Sequence, residues 1–202
     1  WKQLRVSSEF YDPLFHKFYD RVYCSSLFTF TPKDYVSKDM ICGGTGFDIQ
    51  VRLPEEIEDC DLDYSLYPNC ETSYIWFSRG CCRECSFCVV RAKEGLIHSV
   101  EPKNLNPKGK WITVMDNNFF ANPNWKEAIK WLQEKNQPVD FQGVDIRLMD
   151  NKKAKTLLTL KHHKQIKMAW DNPKEDLIPY FKSVIKVIKP YKIMVYVLIG
   201  YN

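Results

Sequence analysis

The chain has 202 residues, of which 45% are apolar and 27% charged, and its formal net charge is +4. These values are typical of a globular protein with one large domain or one and a half smaller ones. The longest apolar stretch, 193–199, has the length of a strand, so no membrane partner is expected. The small net charge does not by itself indicate nucleic acid.

The cysteines are the first feature that points to chemistry. The chain has eight of them, and four lie between Cys81 and Cys88. No signal-peptide pattern stands at the N-terminus, and clustered thiols in such a chain indicate a metal site in a reducing compartment. We therefore expect a cytoplasmic protein. Because the chain begins at Trp1 and ends directly after a strand-like run, we also expect a fragment of a longer protein.

The first region predicted from the sequence covers residues 1–70. It contains two strand candidates, 21–27 and 39–42, and the second runs into a glycine-rich turn, Gly43-Gly44-Thr45-Gly46. An acidic stretch with prolines at both ends, 54–68, follows and reads as a linker across the surface.

Strand and helix patterns alternate through the second region, 71–202. The predicted strands are 73–78, 111–115, 139–148, 166–170 and 193–199. Helices are predicted between them, and the first of these is marked by apolar residues at helical spacing and by a capping Asn122 with Pro123 in the first turn. Pro179 predicts a kink or a late start in the last helix. This order predicts right-handed βαβ units and a parallel sheet, with ligands at the carboxyl ends of the strands.

A cysteine loop follows the first strand of this second region. Cys81, Cys85 and Cys88 have the spacing C-x3-C-x2-C, which offers three thiolates to a four-iron cluster and leaves one iron open for a substrate. Two alternatives stay open. Cys82 brings the number of thiols to four, which would suit a tetrahedral zinc ion, with His98 as the nearest further ligand. The thiols could also be inert or form a disulfide.

This loop, with the aromatic Phe87 just before the third cysteine, resembles the signature of the radical SAM superfamily. The resemblance implies that Cys81, Cys85 and Cys88 bind a 4Fe-4S cluster and that Cys82 is a bystander. It implies that S-adenosylmethionine binds the open iron, with Phe87 near the adenine. It also implies reductive cleavage to a 5′-deoxyadenosyl radical acting on an unknown substrate, with the electron delivered by a small protein such as flavodoxin or ferredoxin.

Members of that superfamily hold the methionine amino group at the end of the second barrel strand, often with a Gly-Gly-Glu run. This chain has Asp116, Asn117 and Asn118 at that position, so it departs from the pattern. Main-chain carbonyls and the Asp116 carboxylate could still accept from an ammonium group. A turn or helix-cap cluster is the alternative, because Asn and Asp favour turns.

Alternation along the predicted third strand places Gly143, Asp145 and Arg147 on one face, which we expect to be the barrel interior. Arg147 could hold the methionine carboxylate and Asp145 a ribose hydroxyl. The alternative is a structural ion pair. Gly143 would allow backbone or ligand to approach closely.

The ends of the fourth and fifth strands carry weaker candidates. Asp171 could reach the site, but it is more simply interpreted as a cap for the next helix, with Asn172, before Pro173. Gly200 ends a strand that resembles the adenine-contacting strand of the superfamily, although an apolar strand end is also typical of plain core. The histidines show no ligand pairing, since neighbours such as His162 and His163 do not share a helix face.

The N-terminal region resembles the later half of a cobalamin-binding-type domain, which precedes the cysteine loop in several radical SAM subfamilies. Ser25, Leu27, Gly43 and Gly44 would line the pocket for the nucleotide tail. The Asp-x-His-x-x-Gly motif whose histidine ligates cobalt is not in this chain, so cobalamin binding is not expected.

The expected fold class is therefore α/β. Residues 1–70 form part of a flavodoxin-like, cobalamin-binding-type region with a linker, and residues 71–202 form a partial (β/α) parallel barrel of radical SAM type with five of about six strands. The competing functional class is a zinc- or cluster-bearing binding module without radical activity, for example one that contacts nucleic acid.

Overall fold

The computed structural model describes residues 21–34, 36–58, 60–172 and 174–200. The chain divides into two compact units, Trp1–Pro68 and Asn69–Asn202. Both contain parallel strands, and helices separate the strands of the second, so the protein is of the α/β class. Within the described ranges, none of the helices has the length and apolar character needed to cross a membrane.

The first unit contains a parallel strand pair, β1 (Val22–Ser25) with β2 (Met40–Gly43). β1 is shorter than its predicted range, 21–27, whereas β2 has the predicted length and lies one residue later than 39–42. The chain turns directly after β2: Gly44 has a φ of 89°, and the Gly46 amide donates to the Ser26 carbonyl at 2.7 Å. The predicted linker contains a one-turn helix, α1 (Glu55–Glu58), and a 3-10 turn.

The second unit holds the remaining strands and helices. Its strands are β3 (Thr72–Ile75), β4 (Ser78–Arg79), β5 (His98–Ser99), β6 (Trp111–Val114), β7 (Val139–Phe141), β8 (Ile166–Trp170) and β9 (Ile193–Val197). Its helices are α2 (Val90–Glu94), α3 (Trp125–Lys135), α4 (Asn151–Leu157) and α5 (Ile178–Val184). The short strand β4 accounts for the end of the predicted strand 73–78, which is interrupted at residues 76–77.

The strands of this unit lie in small sheets. One is parallel with the order β3-β6-β7, a second is the parallel pair β8-β9, and β4 pairs with β5 in antiparallel orientation. A single parallel bridge between Val139 and His162 extends the first sheet beyond β7. No closed barrel forms among the strands of the described ranges.

Helix α3 follows its predicted apolar spacing, because Ala128, Ile129 and Leu132 are all buried against the sheet residues of the core. Its predicted cap is wrong. The N-cap residue is Asn124, whereas the Asn122 amide group accepts from the Asn124 backbone at 2.9 Å and donates to the Phe77 carbonyl at 2.9 Å. Helix α5 starts late, with Pro179 in its first turn, as one of the two alternatives predicted.

The predicted third strand, 139–148, is wrong in its second half. β7 ends at Phe141, and Ile146–Leu148 forms a 3-10 turn. The Asp145 carboxylate caps this turn by accepting from the Arg147 backbone amide at 3.0 Å. A carboxylate that caps a turn in this way competes with strand geometry. The alternation of polar and apolar residues in this segment therefore does not report two faces of a strand.

Replacing Leu132 by alanine should lower the free energy of unfolding by about 2–5 kcal/mol, because the side chain is 0% exposed and its loss leaves a cavity. Urea denaturation followed by circular dichroism measures the change. Lys130→Ala is the control on the same helix, where the side chain is 77% exposed. Equal midpoints for the two variants would show that α3 does not pack against the sheet as described.

Candidate functional site

Most of the candidate residues follow the carboxyl ends of strands. The cysteine loop comes after the short antiparallel strand β4, close behind β3, whereas Asp116–Asn118 follow β6, Asp145–Arg147 follow β7 and Asp171 follows β8. Because the parallel strands β3, β6 and β7 bring their carboxyl ends to one edge, the loops that follow them are neighbours. Hydrogen bonds join the cysteine loop, the loop after β6 and the loop after β7.

The base of the cysteine loop depends on a glycine. Gly80 has a φ of 76°, and a Cβ there would lie 2.4 Å from the Leu96 carbonyl oxygen. Only glycine combines this conformation with so close an approach. The following amide, Cys81, donates to the Gly95 carbonyl at 3.2 Å, so the loop begins packed against the end of α2.

A single carboxylate, Glu94, joins the two ends of this segment. It accepts from Arg79 through Nε at 3.2 Å and a terminal nitrogen at 3.0 Å, from the Gly80 backbone at 2.9 Å and from Asn117 Nδ2 at 3.0 Å. Sequence reasoning did not find Glu94 or Arg79. The sequence did contain one indication of Glu94. The helix dipole disfavours an acidic residue at the last position of a helix, so such a residue is expected to have a partner elsewhere.

All four thiols of the loop are free, with Cys81 and Cys85 half-buried and Cys82 and Cys88 exposed. Burial raises the pKa of the Cys85 thiol, the Arg147 charge lowers it, and Cys88 and Cys81 raise it. The charges of Cys81, Cys88 and Arg147 thus all contribute to the surroundings of Cys85.

Cys82 interacts with a different set of groups. Although the residue is exposed overall, packing around its sulfur raises the pKa of the thiol, Cys81 and Asp145 raise it further, and Arg83 lowers it. Its sulfur accepts from Asn118 Nδ2 at 3.5 Å. Cys82 therefore interacts with Cys81 as well as with Arg83, Asp145 and Asn118.

No three His, Cys, Asp or Glu side chains in the described ranges are grouped as they would be around a metal ion. By residue type, three cysteines on one loop agree with an iron–sulfur cluster, since cysteine thiolates are the ligands that such clusters use. Zinc accepts the same thiolates, so both metal sites considered for the loop agree with its residue types.

Asp145 is the centre of a polar network at this edge. Its side chain is 8% exposed and accepts from Arg83 Nε at 2.9 Å and from Arg147 Nε at 2.7 Å. Asn118 Nδ2 adds a contact at 3.3 Å, and Arg147 also pairs with Glu175 at 2.7 Å. Burial alone would raise the pKa of Asp145, but its hydrogen bonds with Arg147 and Arg83 hold that pKa below its usual value.

The ion pair between Asp145 and Arg147, one of the two alternatives considered for these residues, is therefore present. Its setting differs from the predicted one, since both residues belong to a loop and a 3-10 turn and not to the inner face of a strand. Arg147 donates to Asp145 through Nε, whereas one of its terminal nitrogens donates to Glu175. Their role in binding a ligand stays a prediction.

Asp116 is 1% exposed, and its carboxylate is turned towards the end of β3. It accepts from the Phe77 amide at 2.8 Å and from Ser78 Oγ at 2.5 Å. Burial outweighs these hydrogen bonds and raises the pKa of Asp116 from 3.8 to about 6. The carboxylate predicted as a ligand for an ammonium group is thus engaged within the protein.

The backbone of Asp116 and Asn117 passes so close to residue 143 that only a glycine fits there. A Cβ at this glycine would lie 2.3 Å from the Asp116 carbonyl oxygen and 2.5 Å from that of Asn117. The predicted close approach is therefore made by backbone. The amide group of Asn118, which comes next, is buried, and its Oδ1 has no hydrogen-bond partner among the described residues.

The remaining candidates are dispersed. Phe87 is partly buried in the cysteine loop, and Gly200 has a φ of 79° with open space around it. The predicted helix cap is wrong, because the N-cap residue of α5 is Leu177; Asn172 instead accepts from the Lys174 amide at 3.0 Å in a local turn, and Pro173 lies outside the described residues. Burial raises the pKa of Asp171 and the Arg147 charge lowers it, which places Asp171 near the network.

Two histidines have structural partners, as expected. His162 Nε2 lies 2.8 Å from the Leu157 carbonyl oxygen, and the His163 ring stacks on Trp111 with centroids 4.1 Å apart.

In the first unit, three of the four residues considered for cobalamin come together. Ser25 and Gly43 are register partners at the ends of β1 and β2, and a Cβ on Gly44 would lie 2.8 Å from Ser25 Oγ. Leu27 is 67% exposed. Close backbone packing accounts for both glycines without a ligand.

Comparison of the chain with protein-family models and with curated proteins finds no match. The function must therefore be inferred from the cysteine loop and the loops that surround it.

Replacing Asp116 by asparagine should change how stability depends on pH. The folded state keeps the proton up to about pH 6, whereas the unfolded state loses it near 3.8, so the folded state binds more protons within that window. The contribution of Asp116 to the free energy of unfolding therefore falls as pH rises through the window, by up to about 3 kcal/mol, and stays at its lower value above it.

The amide side chain that replaces the carboxyl cannot titrate, so the variant should gain stability relative to the native chain between pH 4 and pH 7. Urea denaturation across that range measures the difference, with the exposed Asp61→Asn as control. Parallel curves for Asp116→Asn and the native chain would show that the carboxyl is not destabilised by burial.

Proposed function

We propose that this chain is a radical SAM enzyme or part of one, with a 4Fe-4S cluster bound by Cys81, Cys85 and Cys88. The observation that carries the proposal is the C-x3-C-x2-C spacing of three cysteines on one loop, which hydrogen bonds join to the loops after β6 and β7. The three thiols could each ligate one iron, and the fourth iron would remain open.

The strand order supports a partial barrel of the kind that such enzymes use. In a barrel each new parallel strand adds beside the one before it, whereas a doubly wound sheet reverses its order. The order β3-β6-β7 adds strands at one edge only, and the bridge from Val139 to His162 continues in the same direction towards β8-β9. We therefore propose that the second unit is the partial barrel.

Two side chains near the cysteine loop, Asn118 and Arg147, have hydrogen-bonding atoms that could bind S-adenosylmethionine. Asn118 Oδ1 is a buried acceptor without a partner among the described residues, and such an atom is costly unless a donor reaches it. An ammonium group is a donor of this kind. Arg147 uses Nε and one terminal nitrogen for Asp145 and Glu175, so the N–H groups of its other terminal nitrogen remain for a carboxylate.

The cluster and the residues of the chain would have separate roles. When bound, the cluster supplies one electron for the cleavage of S-adenosylmethionine to a 5′-deoxyadenosyl radical. The chain would orient the methionine group through Asn118 and Arg147 and hold Phe87 near the adenine. Its substrate is not identified by any residue here, and a small flavodoxin- or ferredoxin-like protein is proposed as the electron donor.

Anaerobic reconstitution with iron and sulfide, followed by EPR spectroscopy of the reduced protein, tests the function. We expect a 4Fe-4S signal that shifts when S-adenosylmethionine is added, because the cofactor changes the coordination of the open iron. Zinc bound in place of iron, or a cluster signal indifferent to S-adenosylmethionine, would contradict the proposal and favour a binding module.

The ligand assignment predicts a difference between two neighbouring cysteines. Cys85→Ala should abolish the reconstituted cluster, since it removes one of three ligands, whereas Cys82→Ala should retain most of its iron. Iron and sulfide per chain and the EPR signal measure both variants. Equal loss in the two variants would overturn the assignment of Cys82 as a bystander.

A further inference from the structure

The cysteine loop makes one ion pair with a distant part of the chain. Arg83 lies between Cys82 and Cys85, and its Nε donates to Asp145 Oδ2 at 2.9 Å across 62 residues of sequence. The other strong contacts at the base of the loop go to α2 and the residue after it, through Arg91 and Gly95. The Arg83 contact is therefore placed to hold the free part of the loop to the end of β7.

Asp145 is a fixed receptor for this contact. It is buried, and the backbone and Nε of Arg147 hold its other oxygen at 3.0 and 2.7 Å. Glu175 in turn anchors Arg147 at 2.7 Å. Asp145 would keep these partners if Arg83 were replaced, so variants of Arg83 should fold.

The geometry of the Arg83–Asp145 pair predicts which substitutions of Arg83 would preserve the interaction. Arg83 is 35% exposed and donates through Nε to one oxygen of Asp145, and within the described part of the chain no second bond completes the fork that a guanidinium can make. A lysine could therefore replace it as a point charge, whereas a glutamine would keep much of its length and lose the charge.

We propose that Arg83 is a positioning residue, whose ion pair with Asp145 presets the arrangement of the loop thiols before any metal is bound. The pair joins the loop to the same network that holds Arg147 and Asn118. The Asp145 carboxylate thus fixes the cysteine loop relative to the residues proposed to bind S-adenosylmethionine. The link to cluster binding rests on the proposed function, but the effect on the loop itself does not.

The first test uses the metal-free protein. Iodoacetamide alkylation of the half-buried Cys81 and Cys85, followed by peptide mass spectrometry, reports how freely the loop opens, and the half-buried Cys42 of the first unit is an internal reference. We expect Arg83→Gln to accelerate the loop cysteines about two- to fivefold, the range for breaking one partly exposed ion pair, and to leave Cys42 unchanged.

Two further variants make this test specific. Arg83→Lys should restore rates close to those of the native chain, because the charge remains. Glu84→Gln, which alters an exposed neighbouring side chain in the same loop, should have no effect. Measuring the alkylation rates across pH separates two effects. A change in the fraction of thiolate moves the pH at which the rate is half its maximum, whereas opening of the loop raises the maximum rate at high pH.

The second test uses reconstituted protein. We expect Arg83→Gln to bind less iron and to give a broader EPR signal than the native chain, and Arg83→Lys to recover both. Unchanged alkylation in Arg83→Gln, or equal loss in the lysine and glutamine variants, would overturn the positioning role. If no variant and no native chain binds iron, the proposed function fails, while the alkylation rates still decide the role of Arg83.

Discussion

A carboxylate removed from water must collect hydrogen-bond donors, and the candidate site is arranged around that requirement. Asp145 collects its donors from the cysteine loop, from the loop after β6 and from its own turn. Glu94 does the same for the base of the cysteine loop. The two carboxylates connect loops that follow different strands, and this explains why cysteines and asparagines far apart in sequence share one edge of the fold.

The α/β class and the order of strands and helices were predictable, because they depend on local periodicity and on the positions of glycine and proline. β6, β8, α3 and the late start of α5 follow those signals closely. Whether the parallel strands belong to a barrel was not decided by periodicity. It depends on pairing between strands distant in sequence, and the described strands form small sheets.

The segment after Phe141 shows why the site was harder to predict than the fold. Its alternation of polar and apolar residues suits a strand, but Gly143 receives the carbonyls of Asp116 and Asn117, and Asp145 caps a turn. Both features depend on tertiary contacts. For the same reason the sequence left Asp116 between a ligand role and a role in a turn, whereas the contacts show that its oxygens accept from Phe77 and Ser78. Residue type indicated where chemistry could lie, and only the contacts revealed which atoms were already used.

The question that follows is which atoms remain for a ligand. A structural ion pair and a binding role for Arg147 are compatible, because a guanidinium has donors on three nitrogens and the network occupies two of them. Anchoring by Asp145 and Glu175 would reduce the entropy that the side chain loses on binding a carboxylate. Asn118 is complementary, since its Nδ2 is held by Asp145 while its buried Oδ1 lacks a donor among the described residues. Both side chains are thus fixed by one carboxylate, which the Arg83 ion pair also joins to the cysteine loop.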